Sequence, residues 1–330
     1  MGGIDRKEGK SDKAPPPIHI AVVNYPGAQR AAIHGLIDLF ETATRLASQG
    51  QVRLPPIAAR EYAAGDCRGR HGSGLCAIIL PPSLSGTIPA AVAAPLVPWI
   101  RARHRDGCSI CSVCAGAFLL AQTGLLDGRK ATTHWALAES FAARFPRVSL
   151  DADRMLIDHG DLMTAGGVIA WIDLGLRLIE RFLTPRVMLD TARMFLVDPA
   201  VREQRHYALY HPSLGHGDAA VLRAQQWIAR HFAEAVSVPA LAAEAGLGER
   251  TFLRRFKAAT GSTPSAYLQG VRVGRARELL ELSGKAFADI AWQLGYEDAG
   301  AFRKIFQRSV GIAPGEYRRR FAPGRSQASG

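Results

Sequence analysis

The first two hundred positions alternate between short unbroken apolar runs and stretches whose apolar residues recur at helical spacing. Ile18–Asn24 (IHIAVVN) runs into Tyr25-Pro26-Gly27, which predicts a buried strand and a turn. From about 30 to 48, Ile33, Leu36, Ile37, Phe40, Ala43, Leu46 and Ala47 line one helical face. Ala77–Leu80 (AIIL) predicts a second buried strand, stopped by Pro81-Pro82, and about 89–104 a helix. Cys108–Val113 predicts a third strand, followed by a helix over Ala115–Gln122. Two short runs within Arg154–Thr164 flank Asp158-His159-Gly160-Asp161, a hairpin signal, and Val168–Leu183 predicts an amphipathic helix. Strands and helices alternating at these lengths imply an α/β domain, a flavodoxin-like parallel sheet sandwiched by helices.

The pattern changes after about residue 197. The stretch 198–218 is polar, rich in Pro, Gly and His, and predicts an interdomain linker. Beyond it every periodic stretch is helical, and the sequence repeats. At an offset of 50 residues, Phe252, Phe256, Gly261, Pro264 and Tyr267 recur as Phe302, Phe306, Gly311, Pro314 and Tyr317. Upstream, Leu241-Ala242 and Gly246 match Ile290-Ala291 and Gly295. A fixed offset of this kind marks a duplicated supersecondary unit.

Each copy predicts a short helix (about Val238–Ala245, and Ala286–Leu294), a Gly turn, and a second helix beginning near Glu249 or Glu297. The Phe pairs at i and i+4 bury one face of that second helix. The other face carries Arg250, Thr251, Arg254, Arg255 and Lys257 in copy one, and Gly300, Arg303, Lys304, Gln307 and Arg308 in copy two. Such a helix, buried on one side and basic on the other, suits phosphate neutralisation and base contact in a major groove. Pro264 to about Ser283 reads as one helix between the copies. If rigid, it would hold two recognition helices roughly 34 Å apart, in successive major grooves. The expected C-terminal domain is all-α with two helix-turn-helix units.

Charge supports an anionic partner. The formal net charge is +12 over 330 residues; from Ala219 onward 17 Lys and Arg stand against 9 Asp and Glu. About a third of the chain thus carries two thirds of the excess. No apolar run of about 18 residues predicts a membrane span, so no membrane partner is expected. The expected domains are a disordered leader (1–17), an α/β domain (18–197), the linker (198–218), a DNA-binding domain (219–322) and a disordered tail (323–330). Five cysteines without a signal peptide predict reduced thiols and a cytoplasmic location. Cys108-x2-Cys111-x2-Cys114 lies in an apolar run with no second Cys/His pair at zinc spacing, and His206, His211 and His216 lack a fourth ligand. No metal and no cofactor are expected.

Residues 219–322 resemble the AraC/XylS-type regulators, through LAAEAGLGERTFLRRFKAATGSTPSAYLQGVRVGRARELL and IAWQLGYEDAGAFRKIFQRSVGIAPGEYRR. That resemblance implies sequence-specific binding to double-stranded promoter DNA, a homodimer, response to a small effector of unknown identity, and RNA polymerase as a candidate partner. Residues about 18–195 are similar to the class I glutamine amidotransferase-like superfamily in its PfpI-type branch, through IHIAVVNYPG, SVCAGAFLLAQTGLLDGRKATTHW and LMTAGGVIAWIDLGLRLIERFL. The combination resembles the GlxA-type transcriptional regulators.

Cys114 ends a predicted strand and precedes Ala115-Gly116 and a helix, where a helix N-terminus can lower a thiol pKa. His134, with Thr133 and Trp135, follows twenty residues on and is a candidate base. In the enzymes of the similar superfamily, Cys and His act with a nearby carboxylate. Here no acid lies between Gly27 and Leu36, and Ala32 aligns where many relatives carry Glu. Catalytic residues are therefore not expected; Cys114 and His134 are vestigial candidates. Three roles stay open for this domain. They are a ligand sensor with a cleft at Cys114, Ala115, Thr133, His134 and Trp135, a residual enzyme, and a ligand-free dimerisation scaffold. Trp99, Trp135 and Trp171 are candidates for cation binding or for the core. The alternative function is a cysteine-dependent hydrolase or amidase with a basic DNA-binding appendage.

Overall fold

Four consecutive buried residues, Ile20–Val23, make β1 (Ile18–Asn24) the spine of a sheet covered on both faces. With side chains alternating, Ile20 and Val22 enter one apolar cluster and Ala21 and Val23 the other. The computed structural model describes residues 15–323 apart from Thr87, 200–202, Leu209, His211 and Ser213. The expected leader up to residue 14 and the expected tail from 324 lie outside the described residues. The chain divides into two compact units, Met1–Gln204 and Arg205–Gly330, so the division falls inside the stretch expected as linker.

In the first unit β1 is joined by β2 (Ile57–Ala63), β3 (Ala77–Leu80), β4 (Ser109–Val113), β7 (Leu156–Asp158) and β8 (Leu162–Ala165), in the order β2-β1-β3-β4-β8-β7. Ile18 pairs with Ile57, Ile20 with Ala77, Ala77 with Ser109 and Ile110 with Leu162, all in parallel; β7 pairs antiparallel to β8. The short strands β5 (Lys130–Ala131) and β6 (Ser149–Leu150) pair separately. Helices α1 (Arg30–Ser48), α5 (Trp171–Phe182) and α6 (Pro185–Met194) cover one face, through Leu36, Phe40, Leu174 and Val187. Helices α2 (Ala90–Arg105), α3 (Gly116–Gln122) and α4 (Ala138–Arg144) cover the other, through Trp99, Phe118 and Phe141. This is the flavodoxin-like class expected. The order places a topological switch between β1 and β3, where ligand clefts form at the carboxyl ends of strands.

Some elements differ from expectation. β2, α4 and α6 were not foreseen. α5 starts at Trp171 and not Val168, because Gly166-Gly167 and the turn ending at Ala170 precede it.

The second unit is all helical: α7 (Ala219–His231), α8 (Val238–Ala245), α9 (Glu249–Thr260), α10 (Pro264–Leu282), α11 (Phe287–Gln293), α12 (Ala299–Val310) and α13 (Pro314–Phe321). It holds two separate cores. One gathers Val221, Ile228, Leu241, Phe252, Phe256 and Tyr267; the other gathers Leu280, Ile290, Phe302, Phe306, Val310 and Tyr317. α8-turn-α9 and α11-turn-α12 are the two helix-turn-helix units. Their turns use Gly246 (φ +67°) and Gly295 (φ +83°), a conformation unfavourable for side-chain-bearing residues. α12 starts at Ala299 and not near Glu297: Asp298 caps it, its Oδ1 accepting the Gly300 N–H at 2.7 Å.

Candidate functional site

Cys114 directly follows β4 with φ +54°, one of two described non-glycine residues in the left-handed region. Such a conformation costs about 1–3 kcal/mol and has to be imposed by its surroundings. Gly116 is part of that imposition. A Cβ there would lie 2.4 Å from the Leu80 carbonyl oxygen and 2.8 Å from that of Pro81, so only glycine lets α3 start under the end of β3. The backbone is a nucleophile elbow. Cys114 is buried, and burial pushes its pKa up to about 11, outweighing the lowering effect of the Ala115 N–H. The expected lowering by a helix N-terminus is corrected accordingly: α3 has only seven residues and desolvation prevails.

The segment bearing His134 is held beside the elbow. Thr133 Oγ1 donates to the Cys114 carbonyl at 2.8 Å, and the Thr132 N–H donates to Thr164 Oγ1 at 2.9 Å. His134 is half-buried, and burial lowers its pKa. Its Nδ1 accepts the Ala136 N–H at 3.1 Å, which leaves the proton of the neutral ring on Nε2. No hydrogen bond joins Cys114 to His134 among the described residues. Ala32 is fully buried in the first turn of α1, which carries no acid. Asp158 and Asp161 are committed elsewhere, to Arg177 with Arg181 and to Arg129 with His104. Trp135 rests against the His134 ring at 5.3 Å between centroids.

Two glutamines at this site had no signal in the sequence. Gln29, the cap of α1, is buried with Oε1 unpartnered among the described residues. Gln204 is 1% exposed. Its Nε2 lies 3.0 Å from Thr132 Oγ1 and 2.9 Å from the carbonyls of Thr133 and Arg154, and its Oε1 accepts the Trp135 N–H at 3.2 Å. A Cβ on Gly166 would fall 1.9 Å from Gln204 Nε2, so Gly166 makes room for that amide. Tyr25 is buried beside Cys114 and donates to the Pro81 carbonyl, tying the loop after β1 to the loop after β3. Trp99 is core, donating to the His71 carbonyl at 2.7 Å, while Trp171 covers Gly35. No group of three His, Cys, Asp or Glu among the described residues is arranged to hold a metal ion.

On the helical unit, Phe252, Phe256, Phe302 and Phe306 are fully buried. Arg250, Thr251, Arg254 and Lys257 on α9, and Gly300, Arg303, Lys304, Gln307 and Arg308 on α12, are exposed. Arg255 departs from the expected face. It is half-buried, its Nε and a terminal nitrogen bonding both oxygens of Asp218 at 2.8 and 2.7 Å, so it ties α9 to the start of α7. Its guanidinium is thereby engaged within the fold.

A profile described as "Helix-turn-helix domain" matches residues 241–320, and one described as "DJ-1/PfpI family" matches residues 79–181. The chain thus joins a domain similar to the DJ-1/PfpI family to one similar to the AraC-type helix-turn-helix domains. The HTH-type transcriptional regulator CdhR of Pseudomonas aeruginosa is 29% identical over 229 residues, 69% of this chain and 68% of that protein. GbdR of the same species is 28% identical over 224 residues, covering 67% of this chain and 60% of GbdR, less than two thirds of its length. GlxA of Rhizobium meliloti is 28% identical over 229 residues, 67% of this chain and 68% of that protein. Each of these alignments is longer than either compact unit of the chain can supply alone. No helix among the described residues is long and apolar enough to cross a membrane.

Proposed function

We propose that this protein is a sequence-specific DNA-binding transcriptional regulator, with α9 and α12 as the helices that enter the major groove. The observation that carries the reading is the duplicated unit: two helices 50 residues apart, each buried through a Phe pair and exposed through cationic and amide side chains. A repeated basic face built on a repeated core fits two-groove recognition. The relatives named as HTH-type transcriptional regulators support the same reading. Selection from random duplexes tests it. The full chain should enrich a sequence with two blocks of fixed bases; enrichment of none would overturn the reading.

In this proposal the DJ-1/PfpI domain is a non-catalytic sensing module, with an effector cleft around Cys114, Ala115, Thr133, His134 and Trp135. A homodimer and RNA polymerase belong to the same reading as partners. What favours sensing over turnover is the state of the pair. A thiol at about 11 is almost wholly protonated at neutral pH, and an imidazole whose Nδ1 already accepts a backbone N–H keeps its proton on Nε2. Titration of Cys114 by iodoacetamide alkylation, read site by site by mass spectrometry, should show reactivity rising only above about pH 10. A reactive thiolate at pH 7 would restore the hydrolase reading.

A further inference from the structure

We infer that Arg272 is the positioning residue that sets the relative placement of the two helix-turn-helix units, and so the spacing of bases they can read. The inference rests on the DNA-binding reading above. The two cores of the helical unit share no residue, and α10 is the helix that runs from one to the other. That helix alone is a poor ruler. It carries Gly270 and Gly274 in its interior, each weakening a helix by about 1 kcal/mol relative to Ala. Arg272 lies between them.

Its side chain reaches out of α10 to the connection between α7 and α8. Nε donates to the Phe232 carbonyl at 2.7 Å and a terminal nitrogen donates to the Glu234 carbonyl at 2.9 Å. The same guanidinium sits 4.9 Å from the centroid of Tyr296, the residue after the turn glycine of the second unit. Tyr296 in turn stacks on Phe302, the core residue of α12, at 4.3 Å. One cation thus grips a loop of the first unit with its hydrogen bonds and the turn of the second with its face. Gly295 closes the joint. A Cβ there would lie 2.1 Å from the Ala233 carbonyl oxygen, so the turn and the loop meet backbone to backbone.

Rigid linkage makes the second groove contact intramolecular and confines it to one register on the DNA. The test uses the full chain and the site it enriches from random duplexes, remade with one or two base pairs inserted or deleted between the two blocks. Each base pair rotates the second block by about 34°. Wild type should lose about tenfold or more in affinity at one inserted pair. Arg272→Ala should bind the parent site about tenfold more weakly and show a spacing profile flat to within about threefold. Gly295→Ala, which opens the joint from the other side, should flatten it likewise, while Arg272→Lys should lie between. A steep wild-type profile retained in Arg272→Ala and Gly295→Ala would overturn the positioning role alone. A wild-type chain that enriches no sequence would overturn the DNA-binding reading and the role together. Loss of all binding by Arg272→Ala is separated from misfolding by Arg272→Lys: a folded Lys variant with an unchanged profile also counts against the role.

Discussion

The two helix-turn-helix units share a frame and differ in nearly everything placed on it. Both bury a Phe pair, and both end the second helix on a left-handed glycine, Gly261 or Gly311. On the outer face, Arg250, Thr251, Arg254 and Lys257 of copy one stand where copy two has Gly300, Ala301, Lys304 and Gln307. Each exposes three cations but at different positions, Arg303 and Arg308 of copy two standing where copy one has Leu253 and Ala258, and the second also offers an amide and less bulk near its N-terminus. They are also held differently. Phe302 is covered by Phe287 at 5.5 Å and by Tyr296 at 4.3 Å, whereas among the described residues Phe252 has only Phe256 as aromatic neighbour, at 5.3 Å. Copy one instead uses the Arg255–Asp218 pair, at the position where copy two has Ile305. Duplication preserved the core that makes a helix-turn-helix and left the surface free to diverge.

The largest expected effect breaks the aromatic half of this contrast. Phe302→Ala should destabilise its unit by about 4 kcal/mol, about 1 kcal/mol more than Phe252→Ala does for the first, because two stacked rings are lost with it. Hydrogen exchange on the full chain resolves the two units, and equal losses of protection in α9 and α12 would remove the distinction.

A smaller effect concerns the faces. Arg254→Ala and Arg303→Ala should each reduce the preference for the selected site by about 1–3 kcal/mol. Lys257→Ala should instead weaken all duplexes about equally and lower the salt slope by about one. Anisotropy titrations at several salt concentrations separate the two behaviours.

The smallest is electrostatic. The hydrogen-bonded Arg255 guanidinium holds the Asp218 carboxyl down to about 2. A depressed folded-state pKa contributes stability that is complete above the unfolded value of about 4 and lost as pH falls toward 2. Thermal unfolding of wild type and Asp218→Asn should therefore differ at pH 5 and converge near pH 2. A difference that persists at pH 2 would assign the effect to capping of α7 and not to the ion pair.

Much of this frame was legible beforehand because periodicity and punctuation carry it: β1, β3, β4, α1 and both duplicated units appear near their expected bounds. What escaped depends on partners distant in sequence. β2 (IAAREYA) has neither alternation nor β-branched residues beyond Ile57, and is a strand because β1 pairs with it. α6 did carry a local sign, Thr184-Pro185, whose hydroxyl accepts the Val187 N–H. At the elbow, Cys114, Thr133 and His134 could be named from the resemblance, but the direction of the thiol's pKa follows from burial, which no local pattern reports. Gln204 read as linker because its four neighbours lie fifty to seventy-two positions away. Arg255 read as part of the basic face because Asp218 lies 37 positions upstream.

Hydroxyl-radical footprinting of the full chain on its selected site tests two-groove recognition most directly. Two protected windows about ten base pairs apart on one face are expected. Arg254→Ala should erase one window and Arg303→Ala the other. A single window, or loss of the same window in both variants, would contradict a protein that reads DNA with both copies.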